Sequence, residues 1–477
     1  MSHPRLASTL LCAAILAGCS EAPVYTKPAI AVPAAYKGDT AIWQPAQPAD
    51  QMPRGDWWKS YDDAVLDGLI LRLDAANADL AVAMGHFDQA TAYAAQARSD
   101  LFPTLSAGAY TTRNQQSLHR ALRSANQPSV YGDNSIGLLS SYEVDLWGRV
   151  RNLVESGEAG AQAAAADLES VRLSLRAELA NDYFALRILD EQNMLLASQE
   201  AAYAKALQLT RNRYEGGIDS ALDVSRAKVQ LDNAKARHSE IRASRALYEH
   251  AIATLVGEPA SGFAIAPAVS NLQLPQIPVG VPTTLLERRP DIAAAERRLA
   301  AANADVGVAK AAFFPRINLA AAAGYESTLQ PGLLSAPNLF WSIGPNALLT
   351  IFDAGRRQAV VAQAEGSFKV AGAQYRATVL RAFQEVEDNL SLLKNLTEES
   401  QAVKDAVQDS GRTLNIAMNR YREGTASYLE VVTAQTAAQR AQLEELDLRR
   451  KRLQASVNLI RALGGGWNPA SPAVASR

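Results

Sequence analysis

The chain contains itself twice, and that duplication constrains its fold more than any other feature. Asn212-Arg213-Tyr214 followed by Gly217 recurs 207 residues later as Asn419-Arg420-Tyr421 followed by Gly424. The same offset relates Gly148-Arg149 to Gly355-Arg356, Glu178 to Glu385, Leu222 to Leu429 and Gly257 to Gly464. Upstream, an offset of 212 relates Asp79-Leu80 to Asp291-Ile292, Ala97 to Ala309 and Phe102-Pro103 to Phe314-Pro315. The difference between the offsets falls between Pro103 and Gly148. Two copies are too few for a solenoid, so a duplicated half-unit is implied.

Each half has the same order. An Ala-rich stretch predicts a helix over about 64–101 and again over 283–312. Asp62-Asp63 and Pro282-Thr283-Thr284 supply N-terminal signals. Phe-Pro then stops each helix, because proline disfavours helical geometry in the residue before it. Beyond it the apolar period changes to two. Ile136, Leu138, Tyr142, Val144 and Leu146 alternate with Gly137, Ser141, Glu143 and Asp145. Residues 104–113, 317–326 and 341–351 alternate in the same way, the first more weakly. Four strands in two hairpins are predicted, joined by polar loops near 114–134 and 327–340. A half-buried sheet of a soluble protein would read similarly. Strands of about ten residues with Tyr142, Trp147, Phe340 and Trp341 near their ends favour a lipid-facing barrel. Four strands cannot close a barrel alone, so several copies must contribute.

The remainder of each half is proline-free, from Arg149 to Glu258 and from Asn346 to Asn468. The Asn-Arg-Tyr motif with its glycines lies inside each run and predicts a tight turn between two helices. Gly148 to Asn212 would span about 96 Å at ~1.5 Å per residue. A helix of that length implies a coiled coil or a helical barrel. Leu168, Val171, Leu175, Leu179 and Tyr183 form one narrow stripe, and Leu222, Val229 and Ala236 a second. Narrow seams flanked by alanine suit close contact between helices.

Bulk properties exclude several classes. Net charge is −2 with no basic block, so nucleic acid is not a partner. Past the first 20 residues no apolar run reaches 18, so a bilayer could be crossed only by a barrel. The five histidines, His3, His86, His119, His238 and His250, show no metal spacing, and His238 and His250 read as solvated surface. Gly464-Gly465-Gly466 follows no strand and is no phosphate loop. No enzyme and no cofactor are expected.

Both cysteines, Cys12 and Cys19, lie at the N-terminus. Arg5, an apolar core over Ala7–Ala17 and Leu16-Ala17-Gly18-Cys19 read as a secretory signal over 1–18. They also resemble a lipobox, in which the cysteine is lipidated and becomes the new N-terminus. Ser20 is consistent with outer-membrane sorting. Pro23, Pro28, Pro33, Pro45, Pro48 and Pro53 make 19–56 an extended tether. The resulting layout is a first repeat over 57–257, a linker over 258–282, a second repeat over 283–464 and a tail over 465–477.

The set of motifs resembles the TolC-like outer-membrane factor family, in its lipoprotein branch from RND-type drug-efflux systems. The residues concerned are Cys19 with its lipobox, Trp57-Trp58 with Tyr61 and Asp63, and Phe102-Pro103. Further along are Leu146-Trp147-Gly148-Arg149, Arg213-Tyr214, Arg288-Arg289-Pro290-Asp291 and Phe313-Phe314-Pro315. Arg420-Tyr421-Arg422-Glu423-Gly424 completes the set, which covers nearly the whole chain. The resemblance implies a mixed α and β membrane protein. It would be a homotrimeric β-barrel with four strands per chain, continued by a long α-helical periplasmic barrel. A small equatorial region would draw on 57–63, 259–282 and 464–477.

The implied role is the outer-membrane channel of a tripartite pump, passive and without ATP. A periplasmic adaptor and an inner-membrane RND-type transporter would be its partners, and outer-membrane lipid would hold its anchor. Tip turns at Arg213, Tyr214, Gly217 and Arg420, Tyr421, Gly424 would dock the adaptor. Leu429 and Thr433 would line the gate. Relatives often carry Asp at the position of Thr433, so that ring is neutral here, and Glu423 or Glu430 could supply charge instead. A protein-secretion duct, or a lipid-anchored coiled-coil spacer with no pore, are the alternatives.

Overall fold

The structure, a computed structural model, describes residues 22–27, 54–117, 119, 128–269, 272–275, 277 and 288–465. The signal region, Cys19, the N-terminal signals at 282–284 and the tail beyond 465 lie outside the described residues. The described elements are α1 (Ala64–Ala76), α2 (Ala78–Ser99), β1 (Thr104–Gln115), β2 (Val130–Glu143), α3 (Arg149–Glu215) and α4 (Ala221–Leu255). The second half supplies α5 (Pro290–Ala311), β3 (Arg316–Ser327), β4 (Leu339–Leu348), α6 (Arg356–Arg422) and α7 (Tyr428–Ala462). The duplication appears in their lengths. α3 and α6 each have 67 residues, and α4 and α7 each have 35. Gly148, Gly217 and Gly257 have positive φ, and so do their counterparts Gly355, Gly424 and Gly464.

The chain divides into two compact units. The first comprises Met1–Ala29, His86–Ala165 and Ala294–Arg376. It contains an antiparallel sheet of order β1-β2-β3-β4. Register places Ala107, Leu138, Ala323 and Trp341 in one row, and Ala109, Ile136, Tyr325 and Leu339 in the next. This face is apolar yet open to solvent in the single chain, with Trp341 73% and Ile343 65% exposed. The opposite face carries Thr112, Asp133, Ser135, Glu326, Asn318, Ser342 and Asn346, interspersed with Tyr110, Leu139, Phe340 and Leu348 among other less polar residues. It also carries Gly108, Gly137 and Gly324 side by side. A Cβ on Gly137 would stand 2.8 Å from the Ala323 carbonyl oxygen, so only glycine lets β2 and β3 approach this closely.

The strands end earlier than their alternation predicts. β2 stops at Glu143 and β4 at Leu348, leaving Val144, Leu146, Leu349 and Ile351 outside. Helix capping takes over there. The Asp145 carboxylate accepts from the amides of Val150 (3.1 Å) and Arg151 (2.9 Å). Asp353 accepts from those of Gly355 (3.1 Å) and Arg357 (3.2 Å). Trp147 leaves the strand, stacks on Phe314 and donates from Nε1 to the Pro315 carbonyl at 2.9 Å. Part of the tether also packs. Tyr25 donates to buried Glu296 (2.6 Å), and Asn303 donates to the Pro23 carbonyl (2.8 Å).

The second unit comprises Ile30–Gly85, Ala166–Ala293 and Ala377–Arg477. Asp63 caps α1 through the amides of Val65 (2.9 Å) and Leu66 (3.0 Å). The single helix predicted over 64–101 is broken at Asn77, which is extended at φ −68, ψ 128. Its Oδ1 caps α2 at the Leu80 amide (2.9 Å), and its Nδ2 donates to the Leu255 carbonyl (2.8 Å). These two bonds outweigh continuation of the helix. The second half repeats the contact with different chemistry: Arg289 donates to the Ala462 carbonyl at 3.0 Å.

Arg289 is buried and also pairs with Asp291 and Glu385, both at 2.7 Å. Arg289→Ala removes its bonds to the two partly exposed carboxylates and to the Ala462 carbonyl, and should cost roughly 1.5–3 kcal/mol. Thermal unfolding of the purified variant measures the loss, and an unchanged midpoint would contradict the role.

One further reading is corrected. His238 is half-buried rather than solvated, between Glu200 (3.1 Å) and Asn193 (2.8 Å), and so clasps α4 to α3. The Leu222–Val229–Ala236 stripe is exposed in the single chain, because α4 buries Ala227, Leu231 and Ala234 instead.

Candidate functional site at the helix-hairpin tips

The turn after α3 and the turn after α6 are built alike. Gly217 and Gly424 take φ of 75° and 78°, where a side chain would be strained. The amide of Gly217 donates to the Tyr214 carbonyl (2.9 Å), and that of Gly424 to the Tyr421 carbonyl (3.1 Å). After the first turn Ser220 and Asp223 form a reciprocal capping box that starts α4. Ser427, at the equivalent position before α7, makes no side-chain cap.

One lock joins the two tips. The Arg213 guanidinium lies 4.7 Å from the centre of the Tyr421 ring and donates to the Tyr421 carbonyl (3.2 Å) and to Asp219 (3.0 Å). The Tyr421 hydroxyl donates to the same Asp219 carboxylate, and its oxygen lies 3.1 Å from Thr210 Oγ1. Tyr421 is buried among Tyr203, Leu207, Leu231, Tyr428 and Val431. Burial first, and then the bond to Asp219, push its hydroxyl up to about 12. The bond to Asp219 likewise raises Arg213. Beside the lock Tyr428 is buried with its hydroxyl unpaired, although its ring packs 5.3 Å from that of Tyr421.

Of the site residues read from the sequence, Arg213 and Tyr421 thus come together, supported by Gly217 and Gly424. Tyr214 is 48% exposed and stands outside the lock. Arg420 pairs with Glu430 at 3.2 Å, holding the second turn to the start of α7. Leu429 and Thr433 lie one turn apart on the exposed side of α7, and the Thr433 hydroxyl donates to the Leu429 carbonyl at 2.9 Å. Asp219, Thr210 and Tyr428 were missed. A signal existed for Asp219: its counterpart in the other half is Ala426, so it marks where the two turns differ.

Among the described residues no cluster of His, Cys, Asp or Glu could hold a metal ion, and no helix is long and apolar enough to cross a membrane. A family model for outer membrane efflux proteins matches residues 69–258 and 281–465. The chain belongs to the outer membrane efflux protein family. The probable efflux pump outer membrane protein TtgC of Pseudomonas putida is 34% identical over 467 residues, covering 97% of this chain and 96% of that protein. Outer membrane protein OprJ of Pseudomonas aeruginosa is 34% identical over 477 residues, covering 98% of each. The Campylobacter jejuni CmeC outer membrane channel superposes with a TM-score of 0.89 at 25% identity, over 95% of this chain and 96% of that one. This efflux protein is therefore an outer-membrane channel that extends into the periplasm, of a transport rather than an enzyme family. Its sheet is the membrane-crossing part, and α3, α4, α6 and α7 are its long periplasmic helices.

Proposed function

We propose that three copies form one passive conduit, which carries drugs or other small molecules from the periplasm outward when an adaptor and an inner-membrane RND-type transporter engage it. The observation that carries this reading is the sheet. Among the described residues its apolar face meets no core, and the outer edges of β1 and β4 are unpaired. Lipid satisfies no backbone group, so those edges must pair with other copies. β4 of one copy beside β1 of the next is antiparallel and keeps an even strand number, as bacterial barrels require. The polar face then lines water.

The tip turns are the adaptor's docking surface and the resting closure. Arg213, Tyr421 and Asp219 hold the closed form, and Leu429 and Thr433 line its narrow part. The unpaired Tyr428 hydroxyl costs the closed packing about 1–3 kcal/mol, which keeps the two states close in energy. Gly424→Pro tests the tip assignment. Proline fixes φ near −65° and removes the amide that reaches Tyr421. Efflux should be lost while the barrel stays inserted; unchanged efflux would refute the assignment.

Lipid on Cys19 anchors the chain in the outer membrane through the tether. Cys19→Ser should abolish incorporation of radiolabelled fatty acid. Labelling of that variant at the parent level would mean that Cys19 is not the acceptor.

A further inference from the structure

Several contacts in the second unit join the first half of the chain to the second. Asn181 with Asn458 and Gln199 with Gln442 exchange, counterpart for counterpart, to residues that form no polar pair, and three others exchange to compatible ones. Arg449 of α7 reaches both carboxylate oxygens of Glu191 on α3, at 2.8 and 3.1 Å. Gln230 of α4 lies 3.4 Å from Thr436 of α7. Arg213 covers the Tyr421 ring as described above. Each residue has a counterpart 207 positions away in the other half. Exchanging every residue for its counterpart turns the first contact into Arg242 with Glu398, the second into Val229 with Ala437, and the third into Arg420 with Tyr214. All three products are chemically sound: an ion pair, an apolar pair, and a cation on an aromatic ring.

The single chain leaves Arg242, Glu398, Val229 and Ala437 available, whereas Arg420 would keep its pair with Glu430 while covering the ring. Arg242 is exposed and, among the described residues, reaches only Ser239, at 3.4 Å. Glu398 is exposed and has no ion pair among the described residues. Val229 is 57% exposed and Ala437 is exposed. The arrangement is what a closed ring of duplicated chains demands. Within a copy the first half meets the second, and at each seam the second half meets the first half of the next copy with the same helix faces.

We propose that Glu398 pairs with the partner's Arg242, while Ala437 packs on the partner's Val229 and Arg420 covers the partner's Tyr214. Leu222 and Val229 on one face of α4, with Arg242 on another, thus form one side of the seam, and Glu398 of α6 with Ala437 of α7 forms the other. At the tip the seam is the weaker join, because Ala426 replaces the Asp219 carboxylate that binds Arg213 and Tyr421. This inference rests on the ring of three copies proposed above.

The test co-expresses two full-length chains, one Arg242→Cys and one Glu398→Cys, with different affinity tags, and treats membranes with a short bis-maleimide. The parent chain, whose only cysteines are Cys12 and Cys19, is the blank. A covalent product bearing both tags is expected, absent from either variant expressed alone. Parent material that is trimeric, with no two-tag product, overturns the seam and leaves the trimer standing. Monomeric parent material overturns both. As a second measurement, Arg242→Glu and Glu398→Arg should each lower the temperature at which the trimer band is lost, and the double reversal should restore it. A double variant no better than the worse single one would contradict the pair.

Discussion

Replacing Tyr421 by Phe together with Asp219 by Ala should hold the channel open, raising the open fraction on the order of 100-fold in planar bilayers. The lock loses the bond from Tyr421 to Asp219 and the charged bond from Arg213 to Asp219. Bonds to charged groups contribute roughly 1.5–3 kcal/mol each, and 1.4 kcal/mol is a factor of ten. The two are coupled through one carboxylate, so their effects add incompletely. The double variant should therefore exceed Asp219→Ala only modestly. Conductance no higher than the parent's would show that closure resides elsewhere.

The same lock has a pH signature. The Tyr421 hydroxyl is raised from 10.0 to about 12, so the folded tip favours its neutral form. Its contribution to the closed state is complete below pH 10.0, declines between pH 10.0 and about 12, and is gone above that. Opening should rise through this window in the parent channel. Tyr421→Phe should remove the response, and its persistence would assign the titration to another group.

Gly137→Val should abolish insertion. The added side chain meets the Ala323 carbonyl oxygen at 2.8 Å and the Gly324 Cα at 3.3 Å. Both are backbone, and neither can turn aside as a side chain would. β2 and β3 must separate, which breaks the row where the two halves of the sheet join. Loss of paired backbone in lipid costs several kcal/mol for each group left unsatisfied. The expected result is no heat-modifiable trimer in outer-membrane fractions. Gly108→Val is the control, because a Cβ there meets only Leu139 Cδ1 at an ordinary 3.7 Å. Normal assembly of Gly137→Val would mean that the close approach is dispensable.

Regular features were legible in the sequence because they follow from local rules. The Phe-Pro stops, the proline-free runs and the repeated glycines located the strands, long helices and turns. What escaped were choices made by groups distant in the chain. Asn77 breaks a helix whose local pattern continues, because its side chain bonds Leu255, 178 residues away. Asp219 lies two residues past Gly217, yet its partner Tyr421 is 202 residues on. His238 gave no local hint of Asn193 and Glu200 on the facing helix. The strand ends were misjudged because Asp145 and Asp353 recruit the following amides before the alternation stops. For the exposed stripe of α4, the periodicity shows that a partner is required but not which chain supplies it.

The central claim is that several copies of one exposed four-stranded sheet close into a barrel around water. Single-channel recording on the purified detergent-solubilised protein, with its native mass measured on the same sample, tests it most directly. The account predicts a species of three chains that gives discrete conductance steps, larger in the Tyr421→Phe, Asp219→Ala variant. A single-chain species that leaves the bilayer electrically silent in both parent and variant would contradict it.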